Sequence, residues 1–320
     1  MAVVSIRPAL AVGADGATPC KKERFSVGTN TVWGELCGKR PTNSHTVLIT
    51  SHGATYNHLY WDWPQNPAAR SLVRNLPARV SVLNIDLLGA GQSSHPLSAG
   101  LTLQAQAAMI HQLAAKMRAR GFRHVILIGH SSGSGVATQE AATYHDVDGL
   151  IVTGFTHRLR SPVPPPGGAA VPLSLYPAIL DPAFASAGLD PGYLTTQPGA
   201  RENIGFYNPA TADPRVVAFD DAHKDTVAAP HAAGFAVLIN DPSVSRAVDV
   251  PVLSIVGNYD TFCDSPSCPQ AAEEPAAWSP QAQLEIRLIP GAGHCIHLHR
   301  AADAQLEFRY VREWLDRRFA

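Results

Sequence analysis

Six short apolar runs set the limits on this fold: "TVLIT" (46–50), "VSVLNI" (80–85), "HVILIG" (124–129), "GLIVTG" (149–154), "PVLSIVG" (251–257) and "LEIRLI" (284–289). Each is rich in Val, Ile and Leu without alternation and is ended by loop residues, as strands buried on both faces are. Helical patterns lie between them. "LTLQAQAAMIHQLAAKMRARG" is amphipathic and stopped by Gly121, and "SGVATQEAATYH" follows the third run. "ADAQLEFRYVREWLDRRF" closes the chain as a helix with Leu306, Tyr310, Trp314 and Leu315 along one face. Strand alternating with helix predicts a mostly parallel sheet covered on both sides, an α/β architecture.

The rhythm breaks between 155 and 248. "RSPVPPPGGAAVP" suits neither a helix nor a central strand, and mixed Pro, Gly, Asp and short apolar stretches follow it. Phe184, Tyr193, Phe206, Tyr207 and Phe219 argue that this part packs rather than links. The expected organisation is a frayed leader over 1–20, a core made of 21–154 and 249–320, and a partly helical insertion over 155–248.

At 320 residues, one large domain with an insertion needs no staples to bury its core. Lys+Arg of 25 against Asp+Glu of 26 leaves no net field that would draw nucleic acid or an anionic membrane. No apolar run reaches the roughly 18 residues of a membrane span. The N-terminal apolar stretch is interrupted by Arg7 and Pro8, which makes a poor secretion signal and favours the cytoplasm. Of five cysteines, Cys20 and Cys37 flank a β-like stretch, and Cys263 and Cys268 share a loop. Either pair could bridge in an oxidising compartment, which would point to secretion. No spacing matches a zinc site, and nothing in the sequence speaks to oligomeric state.

"GHSSG" at 129–133 matches G-x-S-x-G at the end of one expected strand and the start of one expected helix. That context makes Ser131 the candidate nucleophile on a tight, exposed turn. Ser132 fails the spacing and is better used through its backbone N–H, at the positive end of the helix. Asp260 lies just past the run 251–257, and His294 follows the run 284–289 in "GAGH". Asp264, four residues further on, competes with Asp260. His297 and His299 compete with His294, or would join it in a metal site that lacks a clustered carboxylate.

From about residue 25 to its end the chain resembles the α/β-hydrolase superfamily. The resemblance rests on "SHGATYNH", "DLLGAGQSS", "GHSSG", "GNYD" and "GAGH" in order; "HGATYNHLYWDWP", "SSHP" and "VDGLIVTGFTH" look like hydrolases of microbial natural-product pathways. It implies an α/β-hydrolase fold with the insertion as a lid. Ser131 would attack, His294 serve as base and then acid, and Asp260 hold the imidazole tautomer. The oxyanion hole would be the N–H groups of Ala54 and Ser132, with Thr55 the alternative to Ala54. His52, His130 and Asp86 would be structural. Tyr56, within an aromatic segment with His58, Tyr60, Trp61 and Trp63, would line the pocket together with Phe184, Phe206 and Tyr207.

The function implied is hydrolysis of a carboxylic ester, lactone or thioester of a hydrophobic small molecule, without metal or other cofactor. A carbon–carbon bond hydrolase or an acyl-transferring cyclase is the alternative reading, and a non-catalytic small-molecule receptor a third. Relatives acting on epoxides or haloalkanes place Asp at the elbow, where this chain has Ser131.

Overall fold

In the computed structural model of this chain, residues 19–38, 46–157, 175–202, 205–260, 263 and 268–319 are described. The strands are β1 (Cys20–Val27), β2 (Asn30–Cys37), β3 (Thr46–Ser51), β4 (Val80–Ile85), β5 (His124–His130), β6 (Gly149–Thr153), β7 (Leu175–Pro177), β8 (Tyr193–Thr196), β9 (Val227–Ala228), β10 (Val252–Gly257) and β11 (Glu285–Ile289). The helices are α1 (Pro67–Arg70), α2 (Leu72–Asn75), α3 (Leu103–Ala119), α4 (Ser132–Tyr144), α5 (Pro214–Ala222), α6 (Ala229–Leu238), α7 (Pro269–Glu273) and α8 (Ala301–Phe319).

All six apolar runs are strands of one sheet, ordered β1-β2-β4-β3-β5-β6-β10-β11 among the described residues. From β4 to β11 every pairing is parallel, while the β1–β2 hairpin adds antiparallel at one edge. Period-two geometry sends Val47 and Ile49 to one face and Leu48 to the other. The first face is covered by α3, α4 and α6 through Leu113, Val136 and Phe235. The second is covered by α8 through Phe308, Val311 and Trp314. Both faces are therefore dry, which is why these strands read as unbroken apolar runs.

Local signals place the helix ends. Thr102 caps α3 by accepting the Ala105 N–H at 3.1 Å, and Gly121, at φ 96°, turns the chain out after it. The buried stripe of α8 is Ala304, Phe308, Val311, Trp314 and Leu315, so the expected face is corrected by a small rotation. Leu306 and Tyr310 lie half-buried at its edge, because the 304-308-311-315 series follows the helical period better. Cys20 and Cys37, opposite one another in the β1–β2 register, are joined by a disulfide, as are Cys263 and Cys268. Between β6 and β10 the chain forms the antiparallel sheet β7-β8-β9 with α5 and α6. The Pro-rich stretch 160–172 and the leader up to residue 18 lie outside the described residues.

The turn from β5 into α4 is tight. Ser131 adopts φ 53° and ψ −122°, a left-handed conformation unusual for a residue with a Cβ. Its N–H bonds the Thr153 carbonyl at 2.9 Å, tying the turn to β6. A Cβ on Gly133 would fall 2.4 Å from the His52 carbonyl oxygen, and one on Gly129 2.4 Å from the Gly133 oxygen. Only glycine lets α4 start this close to both strands.

Two outcomes are expected. Glycine reaches the Ser131 conformation without strain, so Ser131→Gly should be more stable than Ser131→Ala by about 1 kcal/mol in thermal unfolding. Equal stability would show that the turn is unstrained. Glu140 on α4 is buried beside Asp146; burial, reinforced by a side-chain hydrogen bond and the charge of Asp146, pushes its pKa up to about 9. A folded-state value above the unfolded 4.5 stabilises fully below pH 4.5 and is lost as pH rises through 9. Melting scans should show Tm falling by about 5 °C or more from pH 5 to 9, and much less in Glu140→Gln. Parallel pH profiles for the two proteins would contradict this.

Candidate active site

Three loops at the carboxyl ends of the parallel strands meet at the elbow. Ser131 is partly exposed there, whereas Ser132 is buried and begins α4. The first N–H groups of a helix have no intrahelical acceptor, so the Ser132 amide is available at the positive end of α4.

The loops after β10 and β11 zip together. Asn258 N–H bonds the Ile289 carbonyl at 3.1 Å, and Tyr259 N–H bonds that of Ala292 at 2.9 Å. This brings Asp260, with no exposed surface, to His294: Nδ1 lies 2.9 Å from Asp260 Oδ1. An Nδ1–H donated to the carboxylate leaves Nε2 of His294 as the basic nitrogen. His294 reaches the elbow as well. Its Cε1 is 3.1 Å from where a Gly154 Cβ would be, next to the Thr153 carbonyl that holds Ser131, and its ring centre is 4.7 Å from that of His130. Asp264 lies outside the described residues, so the placed carboxylate partner is Asp260.

The other histidines near the site make local contacts. His297 contacts Glu307 Oε2 at 3.1 Å and the Tyr60 carbonyl at 2.6 Å. Through Nε2, His299 accepts the N–H groups of Asn208 and Gly293, while Nδ1 donates to the Cys295 carbonyl. His52 donates to the Gly53 carbonyl and accepts the Leu87 N–H at 3.0 Å. His130 stacks on Tyr60, and burial together with the neighbouring His294 holds its pKa well below the usual range. Asp86 accepts the His58 and Gln92 N–H groups, tying its own loop to the segment after β3.

In the loop after β3, Ala54 is partly exposed and Thr55 takes the left-handed conformation at φ 62°. The Thr55 carbonyl accepts the Asp225 N–H at 2.8 Å and a guanidinium N–H of Arg201. Arg201, fully buried, also bonds Asp220 Oδ1 at 2.9 Å. The hydroxyls of Tyr56 and Tyr207 both donate to Asp220 Oδ2, at 2.9 and 2.8 Å. Burial, with Asp220 adding to it, raises both phenols well above their ordinary pKa. Burial works against the charge of Arg201, but Asp220 and the two phenols outweigh it and raise its pKa. Sequence reasoning missed Arg201 and Asp220; neither belongs to a motif, and Arg201 sits among loop-forming residues.

Of the expected pocket residues, Phe206 lies nearest the histidine, its ring 5.4 Å from His294 and 5.9 Å from Tyr56. The hydroxyls of Tyr56 and Tyr207 are turned into the Asp220 network rather than free for a ligand. Phe184 is half-buried against the cluster that contains Phe155, Tyr193 and Phe235, and among the described residues no ring contact joins it to His294.

A buried carboxylate–imidazole pair beside a serine on a strained turn can make an alkoxide equivalent at neutral pH. Sequence comparison with curated proteins finds no match. Among solved structures, the chain is similar to an enol-lactonase from Burkholderia xenovorans at 16% identity, covering 92% of this chain and 100% of that one, with TM-score 0.63. A soluble variant of monoglyceride lipase from Saccharomyces cerevisiae matches at 17% identity, 98% and 100% coverage and TM-score 0.62. A bacterial membrane phospholipase A matches at 19% identity, 94% and 87% coverage and TM-score 0.61. The family model described as "Alpha/beta hydrolase family" matches residues 47–305. With that match over most of its length, the chain belongs to the alpha/beta hydrolase family of hydrolytic enzymes.

Proposed function

We propose that the protein is a serine hydrolase that cleaves a carboxylic ester, lactone or thioester of a hydrophobic small molecule through an acyl-enzyme. The observation that carries this reading is the buried 2.9 Å contact between His294 Nδ1 and Asp260, beside a serine at φ 53°. Ser131 Oγ attacks the carbonyl carbon while its proton passes to His294 Nε2. The resulting oxyanion is received by the N–H groups of Ala54 and Ser132. Collapse expels the alcohol or thiol, which takes the proton from His294. Water then attacks the acyl-enzyme with His294 as base, releasing the acid and restoring Ser131. Asp260 keeps Nδ1 protonated and balances the imidazolium.

The insertion over 155–248 serves in this reading as a lid, with Phe206 as apolar wall against His294. Its position after β6 supports this, because loops at the carboxyl ends of parallel strands surround the site in open α/β sheets. The solved structures named above, a lactonase and lipases by title, support acyl-ester chemistry rather than a particular substrate.

Kinetics on a panel of p-nitrophenyl esters test the assignments. Ser131→Ala and Asp260→Asn should each lose at least about a thousandfold in kcat with the fold intact, whereas Ser132→Ala should lose far less. Equal losses for the two serines would overturn the choice of nucleophile, and near-parental turnover in Asp260→Asn would remove the orienter. Phe206→Ala should shift KM or chain-length preference while fluorophosphonate labelling of Ser131 stays within about threefold of the parent. Unchanged selectivity would take Phe206 out of the pocket.

A further inference from the structure

Arg201 carries a charge into the interior, between the insertion and the loop that follows β3. It has no exposed surface. Its Nη1 is neutralised by Asp220 at 2.9 Å, and its plane covers the Tyr56 ring at 4.2 Å. Nη2 donates to Thr55 twice, to Oγ1 at 3.0 Å and to the backbone carbonyl, while Nε is buried without a hydrogen-bond partner. Thr55 is β-branched and sits at φ 62°, where such residues are true outliers. A second donor from the insertion, the Asp225 N–H, meets the same carbonyl at 2.8 Å.

Stability alone does not explain this arrangement. Taking an Arg–Asp pair out of water gains little over apolar side chains of the same volume. What the pair does supply is direction. A fixed fork held by Asp220, which is itself held by two phenols, can lock one carbonyl in one orientation. Thr55 directly follows Ala54, whose N–H must sit within about 2.7–3.1 Å of a developing oxyanion to stabilise it. We propose that Arg201 is a positioning residue for hydrolysis: by clamping Thr55 in its left-handed conformation it aims the Ala54 amide at the oxyanion. This rests on the Ser131 acyl-enzyme reading. The insertion then contributes to rate as well as to selectivity.

The test compares p-nitrophenyl butyrate turnover with inhibition by an alkyl trifluoromethyl ketone. Ser131 Oγ adds to the ketone carbon, its proton goes to His294, and the ketone oxygen becomes the oxyanion. Active sites are counted by fluorophosphonate titration, so that misfolded protein does not enter. In Arg201→Met, kcat per titrated site should fall about ten- to hundredfold, with KM within about threefold, and ketone affinity should weaken by a comparable factor. Arg201→Lys keeps a donor and should recover part of both losses. Should Arg201→Met fail to fold, Arg201→Lys alone decides: kcat and ketone affinity falling together by several-fold support the clamp. A variant with lowered Tm but parental kcat and ketone affinity per site overturns it, as does a loss confined to KM. Ser131→Ala separates the two claims. Turnover by Ser131→Ala within about tenfold of the parent defeats the acyl-enzyme reading itself, whereas a loss of about a thousandfold in that variant alongside full-rate Arg201 variants defeats only the clamp.

Discussion

Ser131 is held at φ 53° because three backbones converge on it and leave no other path. Its own N–H is committed to Thr153 on β6, the next turn of α4 presses on the carbonyls of Ser51 and His52, and β5 arrives from below through Gly129. Such a turn stores strain that the surrounding sheet must hold in place. The central position of β5, between β3 and β6, provides that support from both sides. The ends of the same neighbours carry the loop with Ala54 and the Thr153–Gly154 step beside His294, so the elbow and its partners share one rigid base.

The insertion has two physical characters. Toward the histidine it offers an aromatic ring, Phe206. Toward the loop after β3 it offers a buried ionic network, in which Arg201 and Asp220 join Tyr56, Tyr207 and Thr55. An apolar contact tolerates sliding. A charge network in a dry interior does not, because any misfit leaves a buried charge unpaired. The Arg201–Asp220 network is thus a fixed point between the chain that joins β6 to β10 and the loop after β3.

Sequence pattern disclosed the central sheet well, for a physical reason. Strands covered on both faces must be apolar throughout, so all six runs stand out, and the Gly-flanked Ser131 marks a stretch where strand passes into helix through a tight turn. Asp260 and His294 followed from chain order and resemblance, and the structure brings them within hydrogen-bond distance. The antiparallel β7-β8-β9 sheet was not foreseen, because strands of two to four residues carry no measurable period. Arg201 and Asp220 were missed because a pairing made across the fold leaves no local trace in either residue's neighbourhood. Tyr56 and Tyr207 are expected from the sequence to line the pocket; their hydroxyls serve Asp220, which only three-dimensional contact reveals.

Passage of an acyl group through Ser131 is open to acid-quench peptide mapping. Enzyme turning over p-nitrophenyl butyrate is stopped in acid within the first turnovers, digested, and searched for butyrylated peptides. The expected result is a single butyryl group, on the peptide containing Ser131, that disappears when the ester is exhausted. Turnover without any adduct, or with an adduct on another residue that forms and decays at the catalytic rate, would contradict it.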